Sequence, residues 1–183
     1  MEVIINSFLL VALTEMGDKT QLLAFVLASK FRKPWTVLAG ITVATILNHA
    51  LAAGLGAWLS QWIEPHLLKW ILGSIFIAFA LWILIPDKDE SDLNAYPYGA
   101  FFTTLVTFFL AEMGDKTQLS TVALAANYQQ LIAVTFGTTL GMIFSDGLAV
   151  FLGDQFSHKI PLKWVRIGAA ALFVVFGVGV IWF

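Results

Sequence analysis

The octapeptide Glu15-Met-Gly-Asp-Lys-Thr-Gln-Leu22 recurs letter for letter at Glu112–Leu119, and each copy lies inside a long apolar run. The same shift of 97 residues pairs Leu13 with Leu110, Leu27 with Leu124, Ala28 with Ala125, Val37 with Val134 and Gly40 with Gly137. It continues through Thr42/Thr139, Leu51/Leu148, Ala52/Ala149 and Gly56/Gly153, and a two-residue deletion then sets Gly73 on Gly168. An eight-residue identity in that frame is not coincidence. The chain reads as two related halves, residues 1–85 and 99–183, joined by the polar linker 86–98.

Composition says what each half must be. Hydrophobic residues make up 59% of the chain and charged residues 12%, against about 45–50% and 25% in a soluble domain. So few polar groups cannot cover a soluble surface of this size, and apolar content this high excludes disorder. At about 20 apolar residues per spanning helix, the length accommodates about six spans and no separate soluble domain. The expected fold is an all-α integral membrane protein. Its apolar segments are read at about 3–28, 35–60, 66–85, 99–125, 131–153 and 164–183. Glu2 near the start, and the lack of a small-x-small site after a simple apolar core, favour a retained first helix over a cleaved leader. With no cysteine there is no disulfide framework and no thiolate metal site. A net charge of −2 gives no reason to expect nucleic acid.

Basic residues in short loops set orientation. Lys30, Arg32 and Lys33 lie between the first and second segments, Lys88 between the third and fourth, and Lys159, Lys163 and Arg166 between the fifth and sixth. The intervening loops, 60–66 and 127–130, carry none, and Lys69 is the one contrary sign. The expected arrangement is a multi-pass plasma-membrane protein with both termini outside and the basic loops cytoplasmic. Three spans per half is an odd number, so the halves would enter the bilayer from opposite sides. Inverted repeats of this kind recur in secondary transporters, whose sites lie near the midplane between the halves.

The repeated octapeptide carries the chemistry. Glu15, Asp18, Glu112 and Asp115 fall mid-span, where a carboxylate facing lipid costs about 2.5–3.5 kcal/mol. They must therefore face protein or a watery cavity. Spacing i, i+3 puts Glu15 and Asp18 on one helical face, with Lys19 at i+4 from Glu15, and the second copy repeats this. Gly17 and Gly114 weaken the helix locally, so the first and fourth spans are expected to bend or break there. Oxygen ligands of this kind suit a hard divalent cation. Lys19 and Lys116 leave the six motif charges at −2, the charge one divalent ion neutralises. Without the ion, protons can take its place, because desolvation and like-charge proximity favour the neutral carboxyl. That exclusion is the physical basis of cation/proton exchange.

Asn48-His49 and Ser145-Asp146 occupy equivalent positions in the second and fifth spans. Asn48 and Ser145 can supply oxygen and Asp146 can relay protons, or these groups can serve interhelical hydrogen bonds. Gln21, Gln118, Thr20 and Thr117 fall on other helical faces from the acids, where pocket contact and packing are equal alternatives. Met16 and Met113 read first as packing residues. Six tryptophans (Trp35, Trp58, Trp62, Trp82, Trp164 and Trp182) flank the segments as interfacial anchors.

The doubled Glu-x-Gly-Asp-Lys-Thr motif, Glu15–Thr20 and Glu112–Thr117, resembles the signature of the Gdt-one-like cation transporter family of the cation/calcium exchanger superfamily. The resemblance covers the whole chain. It implies divalent-cation/proton exchange with the motif acids binding the ion, and for so compact a chain it points to manganese export. The expected protein is thus a Mn²⁺/H⁺ antiporter without a resident cofactor, working in the bilayer as a monomer or a homo-oligomer. Its metal-binding residues would be Glu15, Asp18, Glu112 and Asp115. Secondary candidates are Asn48, Ser145, Asp146, Gln21 and Gln118, with Lys19 and Lys116 balancing charge. A Ca²⁺/H⁺ exchanger of the same fold is the nearest alternative, and a non-transporting subunit is another. An intramembrane metal-dependent enzyme fits poorly, because two identical motifs offer no asymmetric nucleophile or base.

Overall fold

A computed structural model describes residues 1–85, 99–157 and 162–182. The expected linker 86–98, with Lys88, and the basic residue Lys159 lie outside the described residues.

The described residues form eight helices: α1 (Glu2–Glu15), α2 (Lys19–Phe31), α3 (Pro34–Leu59), α4 (Pro65–Trp82), α5 (Gly99–Glu112), α6 (Lys116–Tyr128), α7 (Leu131–Ser157) and α8 (Leu162–Trp182). Two segments that read as single spans are thus each divided. The chain leaves helix at Met16 (ψ 110°), turns through Gly17 at φ 80°, and restarts behind Asp18. The second half does the same at Gly114, φ 78°, and restarts behind Asp115. Only glycine takes that left-handed conformation without steric cost. The next stops match as well: Arg32 (φ 51°) ends α2 and Gln129 (φ 52°) ends α6, 97 residues apart. Proline at the first position starts α3 and α4, where its missing N–H costs nothing.

Packing follows the same correspondence. α1 lies against α7 as α5 lies against α3, α2 against α7 as α6 against α3, while α4 pairs with α8 and α3 with α7. Small residues make the crossings close. A Cβ on Gly40 would stand 2.9 Å from the Phe101 carbonyl oxygen and from Thr104 Cβ. On the equivalent Gly137 it would stand 2.6 Å from the Ile4 oxygen and 2.8 Å from Ser7 Cβ. In a bilayer, where apolar burial between helices drives little, such backbone approach is a main source of association. Gly137→Val is therefore expected to force α1 off α7, costing about 1–3 kcal/mol and lowering the unfolding midpoint in detergent. An unchanged midpoint would contradict the crossing.

Side chains are sorted as a membrane requires. Phe76 and Phe79 of α4 pack on Phe173 of α8, with ring centroids 6.1 and 5.8 Å apart, while Val43, Ile46, Leu47, Leu51 and Leu55 of α3 all face outward. A stripe of that extent would be an aggregation liability in water. Three helical stretches, Pro34–Leu59, Pro65–Trp82 and Leu131–Phe151, are long and apolar enough to cross a bilayer, and Gly99–Glu112 and Ile167–Trp182 are shorter apolar helices. Trp35, Trp62, Trp164 and Trp182 stand exposed near helix ends. These helices fit a membrane protein.

Candidate cation site

The two helix breaks bring the two motifs together. One carboxylate oxygen from each of Glu15, Glu112 and Asp115 lies within 4.8 Å of the others, and all three residues are buried. Like charges at that spacing repel by about 3 kcal/mol per pair at an effective dielectric of ~20. The cluster is tolerable only when positive charge, a cation or protons, sits among the oxygens.

Charge compensation crosses between the halves. Lys19 Nζ stands 3.8 Å from Asp115, and Lys116 Nζ stands 3.8 Å from Asp18. Each lysine thus faces the aspartate of the other motif, although the sequence places it next to its own. The reason is local: Asp18 and Asp115 cap the restarted helices, so the following lysine leaves from the first turn toward the opposite half. Asp115 also accepts from the Lys116 backbone N–H at 2.6 Å.

The glutamates are held differently. Glu15 accepts from the Thr20 hydroxyl at 2.8 Å and from the Thr117 hydroxyl of the other motif. Both oxygens of Glu112 are buried without a hydrogen-bond partner among the described residues. Thr117 is the residue equivalent to Thr20, yet it serves Glu15 rather than its own Glu112. The helical-face argument that set these threonines apart from the acids fails because the helix is not continuous. A break at Gly17 swings Thr20 back over Glu15.

The secondary candidates occupy both flanks. Asn48 and Ser145 are fully buried on α3 and α7; Asn48 donates to the Phe109 carbonyl at 3.0 Å, and Ser145 accepts from Gln21 at 3.2 Å. His49 and Asp146, one residue further on, are fully buried, and neither side chain has a hydrogen-bond partner among the described residues. Asp146 lies within electrostatic reach of Glu15 and Glu112. Gln21 and Gln118 turn their carboxamide oxygens to the backbone N–H of Gly17 and Gly114, at 2.8 and 2.7 Å. Met113 is 58% exposed and Met16 partly buried. The glutamine contacts had one sequence signal: a hydrogen-bonding residue three positions after an aspartate at the helix start, which is the spacing of a capping box.

Comparison with known proteins gives the arrangement its family. The family described as "Divalent cation/proton antiporter GDT1" matches residues 3–91 and 100–183, nearly the whole chain. The chain belongs to the GDT1 family. It is 42% identical over 184 residues to a Vibrio cholerae protein named "Putative manganese exporter", covering 100% of this chain and 92% of that protein. An Arabidopsis thaliana relative, GDT1-like protein 3, is 26% identical and is matched over 97% of this chain and 69% of its own length. A Synechocystis relative, GDT1-like protein sll0615, is 26% identical, with 93% and 92% covered. No solved structure matches. The GDT1 family is one of divalent-cation antiporters, so this GDT1 member is a transporter rather than an enzyme.

Proposed function

We propose that this protein is a manganese exporter of the plasma membrane, exchanging cytoplasmic Mn²⁺ for inward-moving protons. One observation carries the reading: three buried carboxylates converge from the two motifs, and one of them, Glu112, has no hydrogen-bond partner among the described residues. The name of the Vibrio relative supports manganese as cargo. Glu15, Glu112 and Asp115 supply the oxygens, and Asp18 joins them when Lys116 swings away. Entry of the ion displaces protons from the same oxygens, and protons arriving from outside release it. Lys19 and Lys116 hold the aspartates in the ion-free state, so the site is never left with its full negative charge.

The architecture in this reading is six spans in two inverted halves, 1–85 and 99–183, around a cytoplasmic linker at 86–98, with both termini outside. Fourteen residues of α1 extend about 21 Å, short of the ~30 Å hydrocarbon core. α1 with α2, and α5 with α6, therefore cross as broken pairs. The breaks fall in the same place in both, as expected of an alternating-access site. Lys30, Arg32 and Lys33, around the junction of α2 and α3, support a cytoplasmic position for that loop.

Everted vesicles loaded acid-inside test coupling directly. Adding Mn²⁺ is expected to load the lumen with manganese and raise its pH, and a protonophore that collapses the gradient is expected to stop both. Manganese movement indifferent to the gradient would remove the antiport assignment. Ca²⁺ added in tenfold excess is expected to leave most of the manganese signal, and its abolition would change the cargo.

A further inference from the structure

Gln21 and Gln118 are equivalent residues, and each spans a gap between the two halves. Gln21 Oε1 accepts from Gly17 N–H at 2.8 Å, while its Nε2 donates to the backbone oxygen and hydroxyl of Ser145 on α7, at 3.0 and 3.2 Å. Gln118 Oε1 accepts from Gly114 N–H at 2.7 Å, and its Nε2 reaches Asn48 Oδ1 on α3 at 3.4 Å. Asn48 in turn donates to the Phe109 carbonyl on α5. The amide orientations are not free choices. A backbone N–H can be met only by the carboxamide oxygen, and a backbone carbonyl only by the NH₂. Each side chain is therefore a clasp, with one end on the left-handed glycine of its own motif and the other on the long helix of the opposite half.

The two clasps are unequally made. The first has two bonds of normal length on α7, whereas the second has one stretched contact on α3. The same inequality runs through the site, where Glu15 is held by two hydroxyls and Glu112 by none. We propose that Gln21 and Gln118 are the positioning residues of the transport cycle. They pin the two helix breaks to the opposite half in alternation, the clasp on α7 closed while that on α3 is slack, and the reverse. This rests on the antiport reading above. It differs from a ligand role, because the oxygens that would touch a cation are given to the glycines.

Gln→Met substitution removes both ends of a clasp at similar volume. Gln21→Met and Gln118→Met, purified and placed in liposomes, are compared with the parent for Mn²⁺ flux under a pH gradient. Mn²⁺ binding is read separately from the electron paramagnetic resonance signal of the free ion. Gln21→Met is expected to lower the maximal flux about tenfold and Gln118→Met about threefold, with half-saturation in the binding titration shifted by less than about twofold. Affinity falling in step with flux would make the glutamines ligands, and unchanged flux would make them local caps; either overturns the proposal. The chain has no cysteine, so Met16→Cys reports the first break without background. Its labelling by an impermeant maleimide is expected to rise about fivefold when Gln21→Met is added, and unchanged labelling overturns the clasp. That arm needs no ion. A parent that neither binds nor moves Mn²⁺ would thus sink the antiport reading while the labelling still decides the clasp. If Gln21→Met does not fold, Gln118→Met carries the same flux-against-binding comparison at the other break.

Discussion

Glu112→Gln is expected to abolish proton-coupled manganese movement in everted vesicles and to weaken Mn²⁺ binding by about 100-fold, the equivalent of about 3 kcal/mol. The substitution keeps the size of the side chain and removes one negative charge from a buried cluster whose members lie within 4.8 Å of one another. Among the described residues no hydroxyl or amide holds Glu112, so in the proposed cycle its charge is free for the ion. Glu15→Gln is expected to weaken binding less, by about tenfold, or 1.4 kcal/mol. The new carboxamide oxygen still accepts from one of the two threonine hydroxyls, and its NH₂ can donate to the oxygen of the other, so the geometry of the pocket survives the change. Equal affinities in the parent and both variants would remove the carboxylates from the site.

Breaking one crossed ion pair is the second large effect. Lys116→Met leaves Asp18 buried beside an apolar side chain, and losing one partner of a buried pair typically costs about 3–5 kcal/mol. The expected result is a protein that denatures well below the parent in detergent. Adding Asp18→Asn to Lys116→Met removes the charge that lost its lysine and is expected to recover most of that loss. Recovery is the informative part. Asp18 and Lys116 belong to different motifs, so coupling between them, measured as a double-mutant cycle, shows that the halves meet as described. A cycle in which the two effects simply add would contradict the pairing. The restored protein is expected to stay impaired in transport, because it lacks a carboxylate that the proposed cycle uses.

The repeat, the apolar surroundings and the burial of Glu15, Glu112 and Asp115 were legible in the residues, and for physical reasons, whereas Asp18 stands outside that cluster of three, on Lys116. Hydrophobic content reports the solvent a chain must face, and charges in an apolar run cost too much to be there without a task. The breaks at Gly17 and Gly114 were legible too, since a glycine beside a capping aspartate marks a point where helix is weakest. What failed was helical-face geometry across those breaks. Thr20 and Thr117 fall on other faces from the acids when residues are counted along a continuous helix, and that count loses its meaning once the backbone turns left-handed and both hydroxyls reach Glu15.

Lys19 and Lys116 mark the boundary most clearly. The octapeptide alone determined that two cations accompany four carboxylates and that the sum is −2. It could not say which acid each lysine serves, because the neighbour in sequence and the partner in space differ. Pairing across the halves depends on how α1 and α2 cross α7 and how α5 and α6 cross α3, crossings set by the backbone contacts at Gly40 and Gly137. The inequality of Glu15 and Glu112 is likewise invisible in two identical motifs. Identical sequences carry identical preferences, so only the tertiary structure, with one hydroxyl of Thr117 and two acids within its choice, can make one glutamate held and the other free.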